Sequence, residues 1–285
     1  MDISKLKLFC ALASSLHFGR AASVCHVSPS TLSRNIKQLE DDLGVSLFER
    51  DNRSVALTHE GQNYLNFARE VLQQWETYQE SLTAQADQLH GQLSIYCSVT
   101  ASYSFLYKIL TEFRIKHPGI AIKLHTGDPA QSIERVQAGY EDIAIAAKPD
   151  KLPAGLSFKP IAHSPLVFIC AKQQEWNTTD WDQIPIIIPE EGLARERLNY
   201  WFDERNIKPT IYAEVKGNEA IVSMVSLGFG VGVLPKIVVD NSPLAEQVEL
   251  FALQPDLGPY SMGICVMEKR LKSPIIDAFW KQLQN

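Results

Sequence analysis

Residues 18–43, FGRAASVCHVSPSTLSRNIKQLEDDL, limit what this chain can fold into more than any other stretch. A short helix-forming run from Arg20 to Cys25 meets a break at His26-Val27, and Ser28-Pro29 then opens a second, longer helix. Ser28 has the side chain that accepts from the orphan N–H groups of a first turn, and Pro29 has the fixed φ suited to the first helical position. Leu32, Ile36, Leu39 and Leu43 recur at intervals of three and four, which predicts one buried stripe. Ser30, Thr31, Ser33, Arg34 and, one turn later, Lys37 are left facing out. Hydroxyls and a guanidinium at the start of the second helix suit base edges in a major groove, which is wide enough to admit one helix. The plainer reading is two packed helices with an ordinary polar face. Ala21 and Ala22 permit close packing, and the outer face carries Ser, Thr and Arg in place of Glu/Lys pairs, so DNA recognition is favoured. Ser28, Ser30, Thr31, Ser33, Arg34 and Lys37 are the candidate contacts.

The flanks extend this unit. Residues 3–15 form a first helix with Leu6, Phe9, Cys10 and Ala13 on one side, and Gly44 ends the second helix of the pair in a left-handed cap. Ser46–Phe48 and Ser54–Leu57 read as two short strands around Arg50-Asp51-Asn52-Arg53, a wing from which Arg53, or Arg50, could reach phosphate or a minor groove. A solvated hairpin tip is the alternative for Arg53. Thr58 then caps a helix running to about Leu89, about 46 Å at 1.5 Å per residue. Along it Leu65, Ala68, Leu72, Trp75, Gln79, Leu82, Ala86 and Leu89 alternate at intervals of three and four, a heptad seam too thin for a globular core. Its expected partner is the same helix of a second chain, against the alternative of packing on its own chain; Gln79 either sets the register or is tolerated. A dimer matters because one good base contact discriminates by only about 1–3 kcal/mol, whereas two recognition helices at fixed separation read a two-fold symmetric site.

Charge alone does not lead to nucleic acid. The 285-residue chain carries a net charge of −6. Residues 1–58 hold seven Lys/Arg against six Asp/Glu, +1, which leaves −7 for the remainder, so distribution must supply any attraction to phosphate. Glu40, Asp41 and Asp42 even place acid at the far end of the second helix. The five cysteines are scattered without a CxxC or Cys/His cluster, so buried free thiols are expected, with no metal and no cofactor. The N-terminus interleaves Asp2, Lys5 and Lys7 with apolar residues, unlike a secretion signal. The uncharged run from Ala220 to Pro235, interrupted by Gly228, Gly230 and Gly232, is too short for a bilayer. A cytoplasmic protein without a membrane partner is expected.

After His90-Gly91 the pattern alternates between strand and helix. Strands at 93–97, 121–125 and 142–147 with helices at 102–117 and 129–138 predict a βαβαβ unit with a parallel sheet. A second α/β set follows, with strands at 156–161, 166–171, 184–188, 211–215, 230–234, 248–253 and 260–267, helices at 195–206 and 219–227, and a closing helix at 274–283. In open α/β sheets, ligands lie beyond the carboxyl ends of strands, where helix N-termini point. Three such junctions can be read. Ser98, Thr100, Ala101 and Ser102 form the first, Gly127 and Asp128 the second, and Gly217, Asn218 and Glu219 the third. Helix capping explains the hydroxyls equally, and the helix dipole explains Asp128 and Glu219. Arg195 and Arg197 flank the start of a helix, and one of them, Arg195 first, is the candidate to pair with a ligand carboxylate bidentately, against the alternative of a surface arginine. Gly228-Phe229-Gly230-Val231-Gly232 is no dinucleotide fingerprint, no Walker loop, HExxH or GxSxG occurs, and the seven histidines are dispersed, so an enzyme is not indicated.

Residues 1–61 resemble the N-terminal domain of LysR-type transcriptional regulators. The resemblance is carried by Phe18, Ala21-Ala22, Val27-Ser28-Pro29-Ser30, Ser33, Ile36, Leu39-Glu40, Leu43-Gly44, Leu47-Phe48, Arg50, Leu57-Thr58 and Gly61. It implies an α/β architecture with an N-terminal winged helix-turn-helix (1–58, the helix-turn-helix at 18–37) and a linker dimerisation helix (59–89). A two-lobed effector domain like a periplasmic binding protein would follow (92–285), with lobe I at 92–161 plus 269–285 and lobe II at 162–268. It further implies double-stranded operator DNA and a small-molecule carboxylate co-inducer as partners, and a homodimer paired into a homotetramer. Within the family, YCSVT, GDPAQ and NEAIVSMV are most similar to activators in isoleucine–valine synthesis. That similarity implies an acetohydroxy acid as effector and the acetohydroxy acid isomeroreductase gene as target.

Overall fold

The computed structural model describes residues 2–50, 54–83, 89–172, 174, 181–251, 256–258 and 260–283. The chain divides into two compact units, Met1–Gln85 and Ala86–Asn285.

In the first unit, α1 (Ile3–Ser15) starts where Asp2 accepts from the Ser4 N–H and ends at Leu16 in the left-handed region. α2 (Phe18–Val24) is capped by the His17 ring, and the turn to the next helix bends through His26 at φ 53°. α3 (Pro29–Leu43) opens on Ser28, whose Oγ accepts the Thr31 N–H at 3.1 Å, and closes on Gly44 at φ 71°. The expected caps are therefore the real ones. Leu32, Ile36 and Leu39 are buried as the periodicity predicts, but Leu43 is 44% exposed because the helix ends before it can turn inward. The wing strands, β1 (Phe48–Arg50) and β2 (Val55–Leu57), pair antiparallel and start one to two residues later than the sequence suggests. Arg53 lies outside the described residues.

α4 (His59–Thr83) begins where the Thr58 hydroxyl accepts the Gly61 N–H at 2.9 Å. A side chain at Gly61 would run into the carbonyl oxygen of Leu47, which is why α4 can start against the wing only with glycine there. Its described 25 residues are about 38 Å long. Leu65 and Ala68 are buried within this unit's own core with Leu6, Phe9, Leu12, Ala21 and Leu32, and Leu72 packs partly on it. The near half of the expected seam is thus spent on the chain itself. Trp75, Gln79 and Leu82 remain exposed. Ala86 lies outside the described residues, and Leu89 is not helical but packs on the core of the second unit.

That second unit holds two five-stranded sheets. Lobe I starts with β3 (Gly91–Cys97), followed by an unbroken helical run: α5 (Val99–Ala101), a π-helical turn Ser102–Leu106, and α6 (Tyr107–Lys116). β4 (Ile120–Thr126), a 3-10 turn Pro129–Gln131, α7 (Ser132–Gln137), β5 (Ile143–Ala147) and β6 (Leu156–His163) complete its first pass. Lobe II contains β7 (Leu166–Ala171), β8 (Pro185–Pro189), α8 (Leu193–Glu204), β9 (Thr210–Val215), α9 (Asn218–Ser226), β10 (Val231–Pro235), α10 (Lys236–Asp240) and β11 (Val248–Leu250). The chain then returns to lobe I as β12 (Ser261–Met267) and α11 (Pro274–Gln282).

The sheets are mixed, not wholly parallel. Lobe I has the order β4-β3-β5-β12-β6, with β12 antiparallel to both β5 and β6; lobe II has β11-β7-β10-β8-β9, with β7 antiparallel to β10 and β11. β5 and β6 are not neighbours: β12, returning from lobe II, enters between them and runs antiparallel to both. The first crossing between lobes falls near the expected boundary at 161–162, but the return comes well before the expected 268–269. The two fall at 163–164 and 260–261, where the Ser164 N–H donates to the Tyr260 carbonyl at 3.0 Å and Ser261 Oγ lies 2.8 Å from His163 Nδ1. β12 therefore belongs to lobe I. α10 and the π-helical turn are elements the hydropathy pattern did not announce.

Candidate functional site

The start of α3 is fixed by a knot of hydroxyls. Besides capping Thr31, Ser28 Oγ lies 2.9 Å from Ser30 Oγ and 2.8 Å from Thr31 Oγ1. Ser28 is thus both cap and holder of its neighbours. Arg34 and Lys37 are exposed, Ser30 is exposed and Ser33 half-exposed, on one side of the helix. These side chains place hydroxyl, guanidinium and ammonium groups on one exposed face of the helix.

Sequence reasoning counted Glu40 only as acid at the wrong end of a DNA-facing helix. Its carboxylate instead accepts the N–H groups of Leu47 and Phe48 at 2.9 and 3.1 Å and pairs with Arg50 at 2.6 Å. Arg50 also lies over the Phe18 ring, so it is a brace between wing and helix pair, not a free phosphate arm. Asp42 is likewise drawn toward Lys5 and Gln38, which hold its carboxyl below the usual range, the Gln38 hydrogen bond foremost.

In the second unit, a cleft runs between the lobes. Its wider end is a cavity of about 180 Å³ and its narrow end one of about 20 Å³; Pro129, Ala146, Ala147, Asn218 and Tyr260 line both. The three predicted junctions converge on it. Ser98, Thr100 and Ala101 line the narrow end, Asp128 and Gly217 the wider end, and Asn218 both. Ser98 Oγ caps Ala101 N–H at 3.2 Å, and Asp128 accepts from Ala130 N–H at 3.0 Å, so both also do the capping work that the sequence allowed. Glu219 reaches across from lobe II, its Oε1 accepting the Thr100 N–H at 2.8 Å and the Thr100 hydroxyl at 2.5 Å.

Glu219 lines neither end itself, and three further predicted residues lie elsewhere. Ser102 lines neither end and donates its hydroxyl to the Val99 carbonyl at 2.6 Å. Gly127 also lines neither; the Tyr96 phenol packs where its side chain would be. Arg195 is spent on lobe II, donating to Asn199 at 3.0 Å, the Pro189 carbonyl at 3.1 Å and Glu214 at 3.0 Å. Sequence reasoning missed Tyr260 at the hinge, whose phenol burial pushes up to about 12, so it stays a neutral donor. Among the described lining residues of either end there is no Lys or Arg, and Asp128, Glu191 and Glu196 bring acid. An anion there meets only hydroxyls, the Asn218 amide and helix-start N–H groups.

Cys97, Cys170 and Cys265 are buried free thiols, and Cys10 and Cys25 are half-buried; burial pushes Cys97 up to about 12 and Cys10 and Cys265 to about 11. Such thiols are poor nucleophiles. Among the described residues no helix is long and apolar enough to cross a membrane.

A helix pair with an exposed polar face in one unit and a two-lobed cleft in the other agree with the comparisons to known proteins. The description "Bacterial regulatory helix-turn-helix protein, lysR family" matches residues 3–62, and "LysR substrate binding domain" matches residues 86–285. The chain belongs to the LysR family. Similar LysR regulators include the HTH-type transcriptional activator IlvY of Salmonella typhimurium, 45% identical over 295 residues, with 100% of both chains covered. The HTH-type transcriptional regulator IlvY of Escherichia coli is 44% identical, covering 100% of this chain and 99% of that one. Among solved structures, a full-length OxyR variant from Pseudomonas aeruginosa matches with a TM-score of 0.70 at 26% identity, covering 100% of this chain and 95% of that one. Full-length CbnR complexed with its target DNA has the same fold, with a TM-score of 0.65 at 21% identity over 100% and 99% of the two chains. This LysR regulator therefore couples an N-terminal DNA-binding unit to an effector-binding domain.

Proposed function

We propose that this LysR-family protein activates the acetohydroxy acid isomeroreductase gene of branched-chain amino acid synthesis in response to an acetohydroxy acid, acetolactate or acetohydroxybutyrate. The observation that carries the DNA part is the exposed face of α3, where Ser30, Ser33 and Arg34 stand outward on a start locked by Ser28. Ser30, Thr31, Ser33 and Arg34 read base edges, while Lys37 and Arg53 meet phosphate. The far half of α4, with Trp75 and Leu82 exposed, pairs with its counterpart in a second chain, and two such dimers form a tetramer. The full-length likeness to the two IlvY regulators supports the choice of target.

The interlobe cleft takes the effector. Its neutral donors suit a small acid that also carries hydroxyl and ketone oxygens. The ligand acts by binding one arrangement of the lobes more tightly than another, which shifts the pose of the DNA-binding pairs. A free-standing solute-binding protein would have no use for the face of α3.

Footprinting on the intergenic DNA beside the isomeroreductase gene, with and without acetolactate, tests the reading. Two-fold related protections one or more helical turns apart, altered by acetolactate, are expected. Protection that is identical with and without either acetohydroxy acid would remove the assigned effector, and no protection at all would remove the target.

A further inference from the structure

Thr100 and Glu219 are 119 positions apart and belong to different lobes, yet one oxygen of the Glu219 carboxylate takes both polar hydrogens of Thr100. The Thr100 N–H is among the first amides of a helical run, which have no acceptor inside the helix. Its neighbours are provided for locally, Ala101 N–H by Ser98 Oγ and Ser102 N–H by the Ser98 carbonyl. Thr100 is satisfied from the other lobe. Glu219 itself sits in the first turn of α9, so its charge lies near the positive ends of two helices at once.

Space gives a second, independent observation. The narrow end of the cleft, where Ser98 and Thr100 face, has about 20 Å³, room for about one water molecule. Ser98 is 6% and Thr100 2% exposed. No organic acid fits beside these donors while Glu219 is on them, whereas the adjoining wider end offers about 180 Å³.

We infer that Glu219 is an interlobe latch and an internal stand-in for a ligand carboxylate: a small acid gains the Thr100 donors only by displacing it, and that exchange unties lobe II from lobe I. This rests on the reading that a small carboxylate is the effector. Two carboxylates cannot share one N–H and one hydroxyl without facing each other as like charges. Glu219 therefore scales effector affinity down by the fraction of time the latch is open. It also sets a selectivity rule. A ligand without an anionic group has nothing to offer Thr100 in exchange and leaves the latch shut.

The test uses the full-length protein, wild type against Glu219→Ala and Glu219→Gln, the latter keeping an acceptor oxygen without the charge. Hydrogen exchange of a peptide containing Thr100 reads the latch directly. Glu219→Ala should exchange at Thr100 at least tenfold faster, and acetate should restore protection and raise the melting midpoint of Glu219→Ala without affecting wild type. Calorimetry should show acetolactate binding about tenfold tighter to Glu219→Ala, with Glu219→Gln between. Equal Thr100 exchange in all three proteins, or no effect of acetate on Glu219→Ala, overturns the latch. Acetate rescue combined with unchanged or weaker acetolactate binding overturns the competition. Acetate rescue with no acetolactate binding to any form upholds the latch and removes the acetohydroxy acid, so the two readings fail separately.

Discussion

The carboxylate of Glu40, on the recognition helix, is 2.6 Å from the guanidinium of Arg50 on the wing, and the same carboxylate gathers the N–H groups of Leu47 and Phe48. The wing is thus held in register with α3 by one side chain. Replacing Glu40 with alanine strips two backbone donors and a cation of their acceptor, at a cost of about 2 kcal/mol in unfolding free energy. Affinity should fall on operator and random DNA alike. Arg50→Ala should leave the salt dependence of DNA binding unchanged; a slope smaller by about 0.9 would show instead that Arg50 touches phosphate.

Arg34 is the counterpart of this brace, a guanidinium on the same helix with no side-chain bond to any described residue. As a base reader it should contribute about 1–3 kcal/mol of discrimination. Arg34→Ala is expected to lose about 5- to 150-fold of the preference for operator over random DNA, while its unfolding midpoint stays that of wild type. Competition titrations against random DNA decide the matter, since a matched loss on both sequences would mark a phosphate contact.

The two halves of α4 should respond differently to substitution. Leu65 is 2% exposed within the N-terminal core, so Leu65→Ala should cost about 2–5 kcal/mol of that unit's stability. Trp75→Asp with Leu82→Asp touches residues 39% and 58% exposed, and should leave the fold intact while weakening self-association. Sedimentation velocity checks this. An assembly unchanged at micromolar concentration would place the dimer contact elsewhere.

What the sequence revealed and what it hid follow from the range of the interactions. Ser28, Pro29, Gly44 and Thr58 were legible because caps act within four residues, and Leu32, Ile36 and Leu39 because helical period is local. The Glu40–Arg50 brace, the antiparallel entry of β12 and the Thr100–Glu219 contact were not, since nothing local marks a partner 10, 119 or more residues away. Hydropathy gave the strands of both sheets but not their direction, because burial on both faces erases the alternation that distinguishes an antiparallel neighbour. The seam was overextended for a related reason. A heptad repeat records which residues are apolar, not whether their own chain or another covers them.

Arg195 illustrates the same limit at the site. An arginine at the head of a helix reads as a carboxylate clamp, yet its fork is filled by Asn199, Pro189 and Glu214. Arg195→Ala should accordingly leave acetolactate affinity within a factor of two of wild type. The partners are partly exposed, so the stability loss should stay near 1 kcal/mol. A tenfold weaker binding in calorimetry would return Arg195 to the effector site.

Alkaline pH should expose the buried acids of the second unit. Burial raises Cys97 to about 12, Cys265 to about 11 and the Tyr260 phenol to about 12, all above their unfolded values. Below about pH 7.5 these groups are protonated in both folded and unfolded chains, and their contribution is fully present. As pH rises further the unfolded chain releases these protons first, so it binds fewer than the native state and stability falls until the folded values are passed. The unfolding free energy of the effector unit is therefore expected to decline between about pH 8 and 12, with thiols acting first and Tyr260 after them. Cys97→Val keeps an apolar side chain at this fully buried position but cannot titrate, so it should flatten the early part of that decline. Urea melts at pH 8, 9 and 10 on both proteins measure the slope, and equal slopes would mean that Cys97 ionises as readily in the folded chain as in the unfolded one.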